Sequence, residues 1–180
     1  MSEVPSHGRR TALLVEVPVP SSIDDFRRTH LAASVARGLP AHVTVLFPFA
    51  DADHVEGGLR EQVAGHFAAQ EAFAAELTGV GRFDAHVWLA PSPRDRFVEL
   101  LRATHDRFPE LPPYGDAHAE VVPHLTIAEA VPGEGVDRIA ELAERELGPQ
   151  LPLAFEVTSV SLFVEGSDGT WSHADSFGLG

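Results

Sequence analysis

Two copies of the tripeptide His-x-Thr constrain this chain more than any other feature of its sequence. The first is His42-Val43-Thr44 and the second is His124-Leu125-Thr126. Each copy lies close behind a proline and inside an apolar, β-branched run, PAHVTVLFPF in one case and VVPHLTIAEA in the other, and such runs are typical of β-strands. A single His-x-Thr arises easily by chance, so the value of the pattern depends on whether the two copies occupy equivalent places in a repeat.

A second pair of segments indicates that they do. Glu76–Phe83 aligns with Glu156–Phe163, and the two share Glu, Thr, Val and Phe at the first, third, fifth and eighth places. His42 precedes Glu76 by 34 residues and His124 precedes Glu156 by 32 (76 − 42 and 156 − 124). Two independent matches at nearly equal spacing predict an internal duplication, because a general likeness of amphipathic strands does not account for a shared His-x-Thr.

Hydrophobic periodicity, turn residues and helix stop signals predict the elements between these landmarks. Strands are expected at Thr11–Pro18, Ala41–Phe49, Phe73–Phe83, His86–Ala90, Val121–Ala130, Leu153–Glu165 and Thr170–Phe177, the last two joined by a turn at 166–169. Helices are expected from a capping box at 22–25 to about Arg37, along the stripe from Val55 to Phe67, after Pro93 as far as Phe108, and over Val136–Leu147.

The order is strand–helix–strand–helix–strand, given twice. We therefore expect an α+β fold in which two β-sheet/helix lobes are related by a pseudo-twofold axis. A chain of 180 residues suits a single domain covering 1–180, here with two intimately packed repeats at about 11–83 and 84–177. Phe47 and Phe49 follow the same alternation as Val43 and Val45 and are expected to pack in the core.

The spacing within each motif favours one shared site. Residues i and i+2 of a strand project from the same face, so each imidazole lies beside its own threonine hydroxyl. With a pseudo-twofold axis the two pairs would face each other across one cleft. A neutral imidazole could then take a proton from an attacking oxygen while an imidazolium gives one to a leaving oxygen, and the hydroxyls could donate to phosphate oxygens.

On these motifs the chain resembles the two-histidine (2H) phosphoesterase superfamily, which includes the bacterial 2′-5′ RNA ligases. The resemblance runs from the first strand to the final hairpin, and PAHVTVLFPF is particularly similar to that group's first motif. It implies a bilobal fold with an active-site cleft between the lobes. It also implies metal-independent action on 2′,3′-cyclic phosphates or 2′-5′ linkages of RNA ends or nucleotides. The catalytic histidines would be His42 and His124, and the phosphate-binding residues Thr44 and Thr126.

Composition narrows the possible partners. The formal net charge is −14 and all 13 basic residues are arginine, so a long nucleic acid should be repelled and a nucleotide or short RNA terminus is the expected substrate. The absence of cysteine excludes thiolate and zinc–cysteine chemistry. The other eight histidines show no metal-ligand spacing, so no metal or other cofactor is expected. With no apolar run long enough for a membrane span or signal peptide, we expect a cytoplasmic protein. We also expect a monomer.

Two further residues are candidates for binding substrate. Arg37, just before the first motif, could pair with a phosphate, and Tyr114, in the loop before the second, could stack on a base; for both residues the sequence slightly favours an ordinary surface role. Two alternative functions stay open at this point. One is a nucleotide-binding module that keeps the cleft without turnover, and the other is a metal-dependent hydrolase.

Overall fold

The computed structural model describes residues 9–109, 122–130 and 135–180. Its strands are β1 (Thr11–Glu16), β2 (His42–Leu46), β3 (Phe73–Arg82), β4 (His86–Ser92), β5 (Leu125–Glu129), β6 (Leu153–Val157), β7 (Ser159–Glu165) and β8 (Trp171–Gly178). Its α-helices are α1 (Ser21–His30), α2 (Ala32–Ala36), α3 (Gly58–Ala68), α4 (Arg94–Arg107) and α5 (Val136–Leu147), with short 3-10 turns at Ala52–His54 and Gly148–Gln150.

The strands form two four-stranded antiparallel sheets. The first has the order β2-β1-β7-β8 and the second the order β5-β4-β3-β6. The predicted α+β architecture of two sheets with helices is therefore confirmed. Each sheet draws strands from both halves of the chain, since β7 and β8 join β1 and β2, while β3 joins β4, β5 and β6. The limits 11–83 and 84–177 thus describe a repeat in the sequence rather than the membership of the two sheets.

One face of each sheet packs into a common core. Val15 and Val43 of the first sheet, Leu89 and Leu125 of the second and Phe97 of α4 belong to a single buried cluster. Helix α1 packs against β5 and α4 against β2, so each of these helices contacts the motif strand of the other repeat. Burial of apolar side chains from both sheets in one cluster ties the two lobes together. Among the described helices, none has the length and apolarity needed to cross a membrane.

Strand register repeats between the two sheets. Leu14 lies opposite Thr44 in the first sheet and Trp88 lies opposite Thr126 in the second. Both pairings contain an irregularity at the same place, next to Leu14 in one case and next to Trp88 in the other. A bulge places two residues of one strand opposite one residue of its partner, so each motif strand bends at the same point after its threonine.

The contact between β3 and β6 is symmetric in itself. Phe73 lies opposite Val157, Leu77 opposite Leu153, and Ala75 opposite Phe155 at the centre. The sequence alignment places Phe73 over Leu153 and Leu77 over Val157, so exchanging the two segments turns each pair into another pair of the same set and maps Ala75–Phe155 onto itself. A pseudo-twofold axis therefore passes beside the Ala75–Phe155 pair.

Three predicted elements differ from the observed ones. The single strand predicted over Leu153–Glu165 is wrong, because the chain leaves the second sheet after Val157 and enters the first at Ser159. The helix predicted from Ser22 to Arg37 is broken at Leu31, whose φ and ψ are −136° and 35°. The predicted capping box is also wrong: Pro20 is the N-cap residue of α1, and the Ser22 hydroxyl instead donates to the side chain of Gln150.

The prediction that Phe47 packs in the main core is also wrong. Phe49 is buried in the main core as expected, but Phe47 packs in a separate cluster with Trp171 and Leu39. The alternation does not extend to Phe47, because Val45 and Leu46 both enter the main core at the bulge and the strand ends at Leu46. The predicted strand Val121–Ala130 begins at Leu125 in the described residues.

Candidate active site

His42 and His124 occupy equivalent positions in the two sheets. His42 is the first residue of β2, and His124 directly precedes β5. From Ala41 to Leu46 and from Pro123 to Ala128 the two segments alternate identically between buried and partly exposed residues, with each histidine and threonine partly exposed. The backbones of β2 and β5 approach to within 8 Å between Cα atoms. The strands that carry the two His-x-Thr motifs thus lie next to each other.

Both imidazoles are held by the same kind of hydrogen bond. Nδ1 of His42 donates to the carbonyl oxygen of Pro40 at 2.8 Å, and Nδ1 of His124 donates to the carbonyl oxygen of Val122 at 2.7 Å. A carbonyl only accepts, so Nδ1 carries the proton in both rings and Nε2 of each neutral ring bears the lone pair. Each ring is therefore set to exchange a proton through Nε2.

Burial keeps both rings neutral at pH 7. The pKa of His42 is lowered from 6.5 to about 4, chiefly by burial; the hydrogen bond to the Pro40 carbonyl and the charge of Glu16 oppose the lowering, and the charges of Arg27 and His124 add to it. Burial also lowers the pKa of His124, with His86 adding to the effect and the Val122 carbonyl opposing it. That His42 responds to His124 places the two rings within electrostatic reach of each other.

The surroundings of His42 are polar. Glu16 is its cross-strand neighbour on β1, and a carboxylate oxygen of Glu16 accepts a hydrogen bond from the Ser161 hydroxyl at 2.6 Å. Ser161 is 3% exposed and contacts Ser176 on β8 at 3.4 Å. A row of hydrogen-bonding side chains thus leads away from His42 across the first sheet.

The surroundings of His124 are aromatic. The Phe83 ring lies 5.0 Å from the His124 ring at an interplanar angle of 89°, and the Trp88 ring lies 6.3 Å away. Phe83 is 37% exposed. The indole nitrogen of Trp88 is buried and has no hydrogen-bond partner within the described residues. Trp88 fits because Gly81 lies beneath it, where a Cβ atom would come within 2.6 Å of three atoms of the indole ring.

Sequence reasoning missed these neighbours. Glu16, Ser161, Phe83 and Trp88 reach the histidines only through strand pairing, which a single sequence does not display. The repeat could have pointed to them, since residues opposite the motif strands in one sheet have counterparts in the other. In the aligned register Leu14 corresponds to Trp88 and Ser161 to Gly81, so the two halves of the site have diverged chemically.

The two candidate substrate contacts have different outcomes. Arg37 lies at the end of α2, where its carbonyl accepts a hydrogen bond from the Trp171 backbone and its charge helps lower the pKa of Glu165. Glu165 lies beside Arg10, the residue that directly precedes β1. His42 lies opposite Glu16, the last residue of β1, and so at the other end of that strand. A six-residue strand separates these ends by roughly 17–20 Å, so the structure does not bring Arg37 beside His42. Tyr114 lies outside the described residues.

The described part of the chain contains no cluster of side chains suited to metal ligation. No group of three or more histidine, cysteine, aspartate or glutamate side chains converges there in a way that could hold a metal ion.

The two-sheet architecture and the neighbouring His-x-Thr strands are those expected of the two-histidine class, and comparison with known families gives the same answer. The profile described as the 2′-5′ RNA ligase superfamily matches residues 15–169. The chain belongs to this superfamily, and its function is of the 2H phosphoesterase or RNA ligase type. No match was found among curated protein sequences.

Solved structures resemble this fold over nearly its whole length. E. coli LigT complexed with 3′-AMP is 14% identical, with a TM-score of 0.57 and coverage of 96% of this chain and 99% of LigT. TT0787 of Thermus thermophilus is 16% identical, with a TM-score of 0.60 and coverage of 94% and 97%. Kluyveromyces marxianus Usb1 is 17% identical, with a TM-score of 0.56 and coverage of 96% and 99%. At these identities the likeness concerns the fold.

Proposed function

We propose that this protein is a metal-independent phosphoesterase that opens 2′,3′-cyclic phosphates, or acts on 2′-5′ phosphodiester linkages, of nucleotides or short RNA ends. His42 and His124 serve as the acid–base pair, and Thr44 and Thr126 bind the phosphate. The observation that carries the proposal is the matched pair of Nδ1–carbonyl hydrogen bonds. These bonds assign the same tautomer to both rings and leave both Nε2 atoms for proton transfer.

The proposed reaction needs one histidine in each protonation state. A neutral ring takes the proton of a water molecule as its oxygen attacks phosphorus. The bond from phosphorus to the 2′ or 3′ oxygen breaks, and the imidazolium gives its proton to that oxygen. The two threonine hydroxyls donate to the non-bridging oxygens, where negative charge accumulates. The single negative charge of a phosphodiester between the rings favours protonation of one of them, which offsets the effect of burial.

The aromatic group beside His124 supports a nucleotide substrate. The partly exposed ring of Phe83 offers a face for stacking on a base, and the buried indole N–H of Trp88 has no described partner. Solved structures of E. coli LigT contain 3′-AMP, ATP and NADP+, and these nucleotides guide the choice of ligands. Tyr114 and Arg37 are kept as secondary candidates for contacts with more distant parts of a substrate.

A substrate screen tests the proposal. Purified protein would be incubated with 2′,3′-cyclic nucleotides, 2′-5′ dinucleotides and RNA ends in the presence of EDTA, with His42→Ala as the control. The expected result is product from at least one of these substrates, insensitive to the chelator and absent with His42→Ala. Equal turnover by His42→Ala and wild type would contradict the assignment.

Two other outcomes separate the rival functions. Calorimetry that detects nucleotide binding without any product after long incubation would favour a nucleotide-binding module. Activity that EDTA abolishes and added metal restores would favour a metal-dependent hydrolase.

A further inference from the structure

Arg27 is a buried cation beside the segment that leads into β2, the strand of the first sheet that carries His42. It lies on α1 and is 3% exposed. Its guanidinium donates to the Leu39 carbonyl at 3.1 Å, to the Pro40 carbonyl at 2.8 Å and to the Asp24 carboxylate at 3.1 Å. Buried arginines are uncommon unless they are paired, and two of these contacts go to consecutive carbonyls of the segment that leads into β2.

One of those carbonyls also orients His42. The oxygen of Pro40 accepts from Nη2 of Arg27 and from Nδ1 of His42 at the same time. A carbonyl oxygen has two lone pairs and can accept both bonds. Arg27 therefore fixes the acceptor that determines which nitrogen of His42 carries the proton, and it does so without touching the ring.

The charge of Arg27 disfavours protonation of His42, whereas the hydrogen bond to the Pro40 carbonyl favours it. Three charged or titratable groups influence His42 from the surrounding elements: Arg27 from α1 and His124 next to β5 disfavour its protonation, while Glu16 from β1 favours it. The effect of Arg27 is larger than that of Glu16. The nearest charges thus reinforce the neutral form of the ring.

His124 lacks this arrangement among the described residues. Its acceptor, the Val122 carbonyl, has no arginine donor there, and the group whose charge disfavours its protonation is His86 rather than a guanidinium. An arginine stays positively charged across the whole working range of pH, whereas a histidine does not. The two otherwise matched histidines therefore differ in the permanence of the positive charge near them.

Resting on the proposed function, we propose that Arg27 is a positioning residue that makes His42 the general base and leaves His124 as the general acid. In this assignment Nε2 of His42 removes the proton of the attacking water as its oxygen bonds to phosphorus. His124, protonated in the substrate complex, releases a proton from Nε2 to the departing ribose oxygen. Exchange of one proton from His42 to solvent and of another from solvent to His124 restores the starting state.

Two substitutions separate the charge of Arg27 from its geometry. Arg27→Gln removes the charge and keeps an amide donor for the Pro40 carbonyl. Arg27→Lys keeps the charge and loses the planar fork that reaches two carbonyls. The matched control is Arg28→Gln, because Arg28 is the next residue on α1, pairs with Asp25 and is 60% exposed. Circular dichroism and thermal melting check that each variant is folded, and the conservative lysine variant keeps the charge buried opposite Asp24.

The first readout is a ¹⁵N NMR titration of the histidine rings, which requires no substrate. Arg27→Gln is expected to raise the pKa of His42 by about 1 pH unit or more, without a comparable change at His124. Arg27→Lys is expected to keep the pKa of His42 low while the ring populates the other tautomer more. Arg28→Gln should match wild type. An unchanged His42 titration in folded Arg27→Gln would overturn the proposal.

The second readout is the pH–rate profile with a hydrolysed cyclic nucleotide. The acidic limb should move to higher pH in Arg27→Gln, with kcat rather than KM carrying the change at low pH, whereas Arg28→Gln leaves the profile in place. A shift of the basic limb alone would assign the base role to His124 and refute the proposal. If no substrate is turned over by wild type while the titrations behave as expected, the proposed function fails and the positioning role of Arg27 stands.

Discussion

His42 and His124 share a tautomer because Nδ1 of each ring donates a hydrogen bond to the carbonyl of the residue two positions before it. This local geometry follows from the backbone of a strand entrance that occurs twice, and burial then keeps both rings neutral. At the residue scale the two rings are thus equivalent neutral bases, and in the proposed mechanism a bound phosphate would convert one of them into the acid. The permanent charge of Arg27, near only one of them, breaks that equivalence.

The stability of the protein should reflect the low pKa of His42. The folded state binds a proton at this ring only near pH 4, whereas the unfolded state does so near 6.5, so stability is lost as pH falls from about 6.5 towards 4. The full difference corresponds to about 3 kcal/mol as an order of magnitude. Urea denaturation of wild type and His42→Asn at pH 7 and pH 4.5 checks this. The free energy of unfolding should fall less in His42→Asn, and equal losses would contradict the expectation.

The threonine hydroxyls should contribute to turnover in a symmetric manner. Thr44→Val and Thr126→Val each remove one donor to the phosphate at nearly constant volume, and each should lower kcat by roughly 10²-fold, the scale found for one oxyanion donor. Thr44→Ser and Thr126→Ser should recover most of the rate. Thr29→Val, on the exposed surface of α1 where the hydroxyl bonds to the Asp25 carbonyl, is the control. Steady-state kinetics that show the valine variants as active as this control would remove both threonines from the site.

At the element scale the sequence predicts the strands better than their partners. The two His-x-Thr strands, the order of helices and strands and the final hairpin could be derived from alternation and turn residues. The change of sheet at Thr158 could not, because Leu153–Glu165 keeps strand-like composition throughout and the crossing involves a single residue. The neighbours of the histidines were missed for the same reason, since Glu16 and Trp88 depend on which strands pair and in which register.

Alanine substitution of glycines in β3 tests how tightly the second sheet is packed around His124. Gly81→Ala would bring a Cβ atom within 2.6 Å of the Trp88 ring, whereas Gly79→Ala meets nothing within 4 Å. We expect Gly81→Ala to displace the indole, alter tryptophan fluorescence and lower the melting temperature by several degrees, the scale of about 1 kcal/mol or more. Gly79→Ala should leave both properties near wild type. Indistinguishable spectra for Gly81→Ala would show that the indole adapts without loss.

At the scale of the whole molecule, exchanged strands and a common core bind the lobes together. The symmetric β3–β6 contact joins segments that align in the sequence repeat, and the bulges after Thr44 and Thr126 recur at matching positions. The repeat in sequence was enough to predict a pseudo-twofold axis. It did not reveal that each sheet combines strands from both copies. A sequence repeat shows which strands are equivalent, but it does not show which strands are hydrogen-bonded neighbours.

Cooperative unfolding is the consequence that is simplest to measure. The chain has two tryptophans, Trp171 in the first sheet and Trp88 in the second. Single-tryptophan variants, Trp88→Phe and Trp171→Phe, report on one sheet each. In each variant the urea transition followed by fluorescence should coincide with that followed by circular dichroism, because one core spans both sheets. Separate midpoints within a variant would mean that the lobes unfold independently.

The central claim is that His42 and His124 act together on one phosphoester, and the rate of opening of a 2′,3′-cyclic nucleotide tests it most directly. The measurement compares wild type, His42→Ala, His124→Ala and the double variant at pH 7. We predict that each single variant loses roughly 10²–10⁴-fold in kcat and that the double variant is little slower than either, because residues that act as a unit are not additive. Full activity in either folded single variant would contradict the account.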